Sequence, residues 1–322
     1  MKLNFCTLFN AAYLSRGIVL YESLVKAEPN AHLYIFAFDD ACAEVLQKLK
    51  LAQATIVTLK EFENDKLLKV KSTRTSQEYC WTCASSTILF CFQNFNLENC
   101  TYIDADMYFY ASPQVLLDEM PDGCSVLITE HRYTPQYDQS KTSGKYCVQF
   151  MYFKNNEDGL MVLNWWVDAC LDWCFARVED GKFGDQKYLD NWTTQFKGIV
   201  WELQHIGGGV APWNIQQYNF VKKDGSLYLN ELESTKNYPL VFYHFHGLQF
   251  YRFFGSRLLD SYELQKKQIA QIYKPYIQNL SDAKQRILQI DKSVKVLHQS
   301  DEVAFIKKAI ELMKVKITKI LS

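Results

Sequence analysis

Three short stretches carry residue types whose spacing could support chemistry. The first is Asp104-Ala105-Asp106, which follows the apolar Tyr102-Ile103. On a regular strand, acids two apart point the same way. At a strand end they can instead reach one cation from different backbone positions. Carboxylate oxygens suit a hard cation such as Mn2+ or Mg2+, which can bridge them to a diphosphate. The second stretch is Phe242-Tyr243-His244-Phe245-His246-Gly247, where two histidines share a strand face. A neutral imidazole can complete a Mn2+ site begun by carboxylates. Spacing alone does not separate His244 from His246. The third is Gly184-Asp185-Gln186. Asp185 reads either as the cap of a helix starting there or as a carboxylate offered to a reaction. Gln186, in the first turn, would present its amide into a crevice.

These residues need elements to hold them, and the first half of the chain alternates strand and helix patterns. Strands are expected at 3–9, 32–38, 55–59, 101–103, 124–130 and 148–153. Helices are expected at 14–25, 41–49, 77–92 and 164–175, with a polar loop over 131–145. This is the βαβ rhythm of a largely parallel sheet covered on both faces. In such sheets the ligand crevice lies beyond the carboxyl ends of the strands. The 101–103 strand runs straight into Asp104. Gly207-Gly208-Gly209 implies close backbone approach or a mobile loop. A late strand is expected at 240–245, ended by Gly247.

Composition narrows the classes. The 322 residues are 48% hydrophobic with a formal net charge of -1, enough for a sizeable core and unlike a generic nucleic-acid binder. The N-terminal run is too short for a signal-peptide core, and no apolar run of about 18 residues exists to span a membrane. Ten cysteines, several set among apolar residues, read as free thiols of a reducing compartment. Cys80-Trp-Thr-Cys83 is the one pair with redox or zinc-like spacing, and no second suitable pair accompanies it.

Taken together, the motifs resemble those of a retaining, metal-dependent GT-A glycosyltransferase. The likeness is to the family 8 type, near the galactosyl- and glucosyltransferases of bacterial surface polysaccharide (lipopolysaccharide or capsule) synthesis. Tyr102-Ile103-Asp104-Ala105-Asp106 resembles the family's Asp-x-Asp motif, and His244-Phe245-His246-Gly247 its late His-Phe-x-Gly motif. On that alignment His244 is the metal ligand and His246 the variable position. Asp185-Gln186 resembles the pair beside the anomeric centre and acceptor. Thr7-Leu8-Phe9 and Tyr13-Leu14-Ser15-Arg16-Gly17 resemble the strand and loop that hold the nucleotide base. The likeness covers about residues 3–255.

What the resemblance implies is an α/β GT-A fold, a mixed sheet with flanking helices, and a C-terminal helical extension. It implies a hexose transfer from a nucleotide-sugar, UDP-galactose or UDP-glucose leading, to a saccharide or lipid-linked saccharide. Asp104, Asp106 and His244 would hold Mn2+ or Mg2+, and Asp185 and Gln186 would serve the reacting centre. Thr7, Leu8, Phe9, Tyr13, Ala105 and Gly247 would line the nucleotide. Lys71 or Arg74 would add positive charge. Arg252 would replace the family's lysine on the diphosphate, because Leu-Gln-Phe-Tyr-Arg follows Gly247 here. The relatives' Asn-x-Gly strand is replaced by Gln149-Phe150-Met151, so sugar specificity stays open. Trp213 and the Gly207–Gly209 loop would shape the acceptor side. A sugar-1-phosphate nucleotidyltransferase or a noncatalytic nucleotide-sugar binder are the rival readings. The first lacks its usual Gly-rich opening loop here; the second does not explain retention of both acids, His244 and Asp185.

Residues 1–256 are expected to form the catalytic domain and 257–322 a basic helical extension. From Lys266 to Ser322 the chain has 12 basic and 5 acidic residues. Its end sets Phe305, Ile306, Ile310, Met313, Ile317 and Ile320 against Lys307, Lys308, Lys314, Lys316 and Lys319. Such a stripe suits an anionic membrane surface, packing on the body, or an oligomer contact. The expected location is cytoplasmic, with residues 301–322 touching the inner membrane face.

Overall fold

The fold is given by a computed structural model that describes residues 2–251, 255–257 and 262–296. Its central sheet uses β1 (Asn4–Phe9), β2 (His32–Ala37), β3 (Ala54–Thr58), β4 (Asn99–Ile103), β6 (Val126–Glu130), β7 (Tyr146–Lys154) and β8 (Val200–Glu202). The strand between β4 and β6 in sequence, β5 (Met107–Phe109), lies outside it. The order across the seven-stranded sheet is β3-β2-β1-β4-β7-β6-β8. Pairings are parallel except where β7 runs against β4 and β6. This is the mixed α/β architecture expected from the alternating pattern.

The strands read as near-continuous apolar runs because both faces are buried. In β1, Phe5 and Phe9 enter one hydrophobic core while Cys6 and Leu8 enter another on the opposite face. The first core takes residues of helices α1 (Leu14–Ala27) and α2 (Asp40–Leu49). The second takes residues of α3 (Ser76–Asn94) and α4 (Glu157–Asp172). Helix α3 begins with a full capping box, Thr75 and Glu78 exchanging side-chain and backbone bonds. Helix α4 starts earlier and stops sooner than its tryptophans suggest. Asn156 caps it by accepting from the Gly159 N–H, and Trp173 is already extended.

Three further features complete the fold, of which the sequence pattern announces the late strand and the helical extension but not the antiparallel ribbon. A three-stranded antiparallel sheet forms from β9 (Tyr218–Lys223), β10 (Ser226–Glu231) and β11 (Tyr238–Pro239). Strand β5 pairs with β12 (Phe242–His244) rather than extending the main sheet. Helix α5 (Lys274–Ile290), the first part of the expected extension, packs on α1. Its Tyr276, Leu280, Ala283 and Ile287 are buried in the first core. Residues 301–322, where the basic stripe falls, lie outside the described residues. No helix among the described residues is long and apolar enough to cross a membrane.

Candidate active site

The acid pair sits in the turn between β4 and β5, at the carboxyl end of a parallel strand. The Met107 N–H donates to the Asp104 carbonyl at 3.3 Å, closing that turn. Strand β12 then lies antiparallel to β5 with His244 opposite Met107, and the Phe245 N–H donates to the Asp106 carbonyl at 2.9 Å. This register carries the His244 ring to the acids. Its Nε2 is 3.1 Å from Asp106 Oδ1 and 3.7 Å from Asp104 Oδ2. One ligand atom from each of the three residues falls within 4.8 Å of the others. The strand carrying His244 is braced from behind. Phe245 stacks on Tyr276 at 3.6 Å, and the Tyr243 and Tyr273 hydroxyls bond at 2.8 Å.

The electrostatics fit a cation site. Burial raises Asp104, and the Asp106 charge adds to this against the attraction of His244. Burial also opposes ionisation of Asp106, yet His244, Arg16 and His246 outweigh it and hold that carboxyl below its usual range. Burial works against a charged His244, but Asp106 beside it prevails and raises the imidazole well above its usual value. Two oxygens and one imidazole nitrogen form a hard-to-borderline donor set. Metal bonds of about 2.1 Å at right angles would place neighbouring ligand atoms ~3 Å apart; the 3.1 Å His244–Asp106 separation matches this, and the 3.7 Å His244–Asp104 separation needs a small inward shift. The residues present therefore suit Mn2+ or Mg2+.

Other expected residues gather around this centre. Tyr13 carries the Arg16 guanidinium over its ring at 4.4 Å, and the charges of Asp106 and Asp104 act on its hydroxyl. The Tyr102 hydroxyl donates to Asp104 Oδ1 at 3.2 Å. Asp185 is buried, and burial together with the Asp104 charge pushes its carboxyl up to about 8. Asp185 is not a helix cap: the short turn Lys187–Asn191 begins after Gln186 without any side-chain cap. Its own carbonyl accepts from Trp166 Nε1 at 2.9 Å, which anchors the segment. Gln186 Nε2 donates to the Ser143 carbonyl at 2.6 Å, leaving Oε1 as the amide's other polar atom.

The remaining candidates divide. Thr7, Leu8 and Phe9 are buried in β1, and Phe9 packs so closely under Gly17 that a Cβ there would collide with the ring. Ala105 is buried in the core beneath the acid turn. Gly247 takes a left-handed φ of +74° and turns the chain after His246. Lys71 is paired with Glu63 at 2.6 Å, and Arg74 stacks on Phe175 at 3.8 Å. The structure thus engages both with other partners. Arg252 lies outside the described residues. The Gly207–Gly209 run is a close approach: Val241 N–H donates to the Gly207 carbonyl at 2.8 Å, and Pro239 leaves no room for a Cβ on Gly207. Trp213 is buried, donating to the His131 carbonyl at 2.9 Å with its ring at right angles to His244. It backs the histidine.

Two residues that the sequence placed only within larger motifs stand out. Buried Arg16 bonds the Leu248 carbonyl at 2.8 Å while its charge acts on Asp106. Its signal was its place two residues into the first helix after β1. Gln149 Oε1 meets His244 Nδ1 at 2.9 Å, a contact across 95 residues that no local pattern announces.

No protein-family model matches the chain. It is 35% identical over 252 residues to the uncharacterized protein YfnF of Bacillus subtilis (strain 168), covering 76% of this chain and 80% of that one. It is 30% identical over 282 residues to the uncharacterized protein YfnD of the same strain, covering 86% and 88%. Among solved structures it resembles the galactosyltransferase LgtC in complex with donor and acceptor sugar analogs. That match has a TM-score of 0.50 and 11% identity, over 87% of this chain and 96% of that one. The glycosyltransferase GlyE of Streptococcus pneumoniae TIGR4 aligns with a TM-score of 0.47 at 13% identity, over 94% and 66%. The chain has the GT-A glycosyltransferase fold.

Proposed function

The chain belongs to the family of YfnF and YfnD, and we propose that it is a metal-dependent, retaining glycosyltransferase that takes a hexose from a nucleotide-sugar. UDP-galactose and UDP-glucose are the leading donors, and a saccharide or lipid-linked saccharide is the acceptor. The observation that carries this reading is the meeting of Asp104, Asp106 and His244 at the carboxyl end of β4 within a glycosyltransferase fold.

Asp104, Asp106 and His244 would hold Mn2+ or Mg2+. The cation, when bound, neutralises charge that develops on the departing diphosphate. Arg16, already acting on Asp106, adds positive charge on the same side of the crevice. Tyr13 and the end of β1 would border the base. The acceptor hydroxyl oxygen bonds to the anomeric carbon as the bond from that carbon to the phosphate oxygen breaks. The hydroxyl proton passes to a phosphate oxygen of the leaving diphosphate. This path needs no protein nucleophile. Burial and the Asp104 charge hold the Asp185 pKa up; with the Asp104 charge offset by a bound cation, Asp185 as a carboxylate would stabilise positive charge at the anomeric carbon or, on the covalent alternative, attack it. Gln186, fixed through Ser143, would offer its Oε1 to a sugar hydroxyl.

Purified full-length protein with Mn2+, offered UDP-, GDP- and ADP-sugars, should release diphosphate slowly from one donor. That release should disappear in Asp104→Asn. Absence of both release and calorimetric binding for every donor would overturn the reading.

A further inference from the structure

Gln149 lies on β7 and is wholly buried, yet it touches both halves of the candidate metal centre. Its backbone carbonyl accepts the Asp104 N–H at 3.2 Å. Its side-chain Oε1 lies 2.9 Å from His244 Nδ1. The opposite ring nitrogen, Nε2, faces Asp106 and Asp104. One residue therefore joins the acid turn to the histidine strand.

We infer that Gln149 is a positioning residue that holds His244 in the tautomer and ring orientation required to ligate a cation. The inference rests on the proposed metal-dependent function. An amide oxygen only accepts, so its contact with Nδ1 requires the proton there. A bound cation would displace the proton that Asp106 favours on Nε2; with the other proton held on Nδ1, the freed Nε2 lone pair points toward the two carboxylates. Turned the other way, the amide would present N–H to Nδ1 and move the ring proton to Nε2, where it would block ligation. Partners of this kind fix a ligating histidine, and their loss weakens metal binding by roughly 10- to 100-fold.

The arrangement has a cost that argues for function. Among the described residues, Gln149 Nε2 is buried without a hydrogen-bond partner. Leaving a buried donor unmet costs on the order of 1–3 kcal/mol. A purely structural core would favour an apolar side chain here.

The test compares Gln149→Leu with Gln149→Glu by calorimetric titration of Mn2+ into full-length protein, with thermal unfolding in parallel. Gln149→Leu removes the acceptor and should weaken Mn2+ binding roughly 10- to 100-fold, with an unfolding midpoint at or above that of the wild type. Gln149→Glu keeps an acceptor for Nδ1–H and should retain binding within a few-fold of wild type. Wild-type affinity in Gln149→Leu, while His244→Ala loses binding, would overturn this inference and leave the metal centre standing. Equal weakening in both Gln149 variants would also overturn it, because the acceptor would then not be the operative feature. Failure of wild type itself to bind Mn2+, with UDP present or absent, would remove the metal centre and the inference with it.

Discussion

Asp104, Asp106 and His244 bring three ligand atoms within 4.8 Å of one another, and so do Cys6, Cys91 and Cys100. The two clusters use the same sheet, since Cys6 lies on β1 and Cys100 on β4, the strand that ends at the acid turn. They differ in access. The Asp104 and Asp106 side chains are 29% and 15% exposed, whereas all three cysteines are 0% exposed. The acids carry charges that the fold offsets with His244 and Arg16. Burial drives the Cys91 and Cys100 thiols well above their usual range; it also opposes ionisation of Cys6, but hydrogen bonds from Cys100, Cys91 and Thr87 outweigh it and lower that thiol to about 5, so access is what separates the clusters. Proximity of ligand atoms is thus not enough to make a site. A cation needs donors that are ionised or have a free lone pair, and a path from water. With no path from water, the cysteines pack as small side chains between α3 and the sheet.

The largest expected effect tests the open cluster. Asp106→Ala removes the carboxylate nearest His244. Diphosphate release at saturating donor should fall on the order of 10²- to 10³-fold, and calorimetric Mn2+ affinity should fall with it. Unimpaired turnover in this variant would erase the difference drawn between the two clusters.

Next in size is the sealed cluster. Cys100→Ser puts a hydroxyl among apolar neighbours and should lower unfolding free energy by ~1–3 kcal/mol, read from urea denaturation. Turnover and Mn2+ affinity of the folded protein should not change. A thiol reagent should leave Cys6, Cys91 and Cys100 untouched until the chain unfolds. Loss of turnover in folded Cys100→Ser, or Cd2+–thiolate absorption in the native protein, would make the cysteines a second metal site.

The same contrast explains what was legible in the sequence. The sheet strands were readable because burial on both faces forces unbroken apolar runs, as in Leu33 to Ala37. The acid turn was readable because two carboxylates directly after such a run stand out. The antiparallel ribbon from Tyr218 to Pro239 was not, since β9 buries only Tyr218 and Phe220 and continues into Lys222 and Lys223. Nor was the role of Gln149. Its partner lies 95 residues away, and a glutamine inside an apolar run carries no sign of which polar group it meets. Asp185 was ambiguous because the same residue type caps helices and serves reactions. Only the uncapped turn after Gln186 decided against the cap.

The smallest expected effect comes from a third cluster, in which the acids sit beside a lysine. Lys145 Nζ lies 2.9 Å from Glu202, with the Tyr146 hydroxyl donating to the same carboxylate oxygen. Burial raises Glu130 and the neighbouring Glu202 charge adds to this. Burial opposes the charge on Glu202 as well, but the bonds from Tyr146 and Lys145 outweigh it and lower its pKa below the ordinary 4.5. A carboxyl lowered on folding contributes stability that is complete above about pH 4.5 and is lost as pH falls through the folded value. Glu202→Gln should therefore destabilise the protein at pH 7 and cease to do so in acid. The Lys145 side chain is 43% exposed, and water screens the pair, so the difference at pH 7 should stay under about 1 kcal/mol. Mn2+ affinity should be indifferent to the change, because a fixed lysine already balances these acids. If Glu202→Gln altered Mn2+ binding as strongly as Asp106→Ala, the division between acids paired to a resident lysine and acids assembled with His244 would fail.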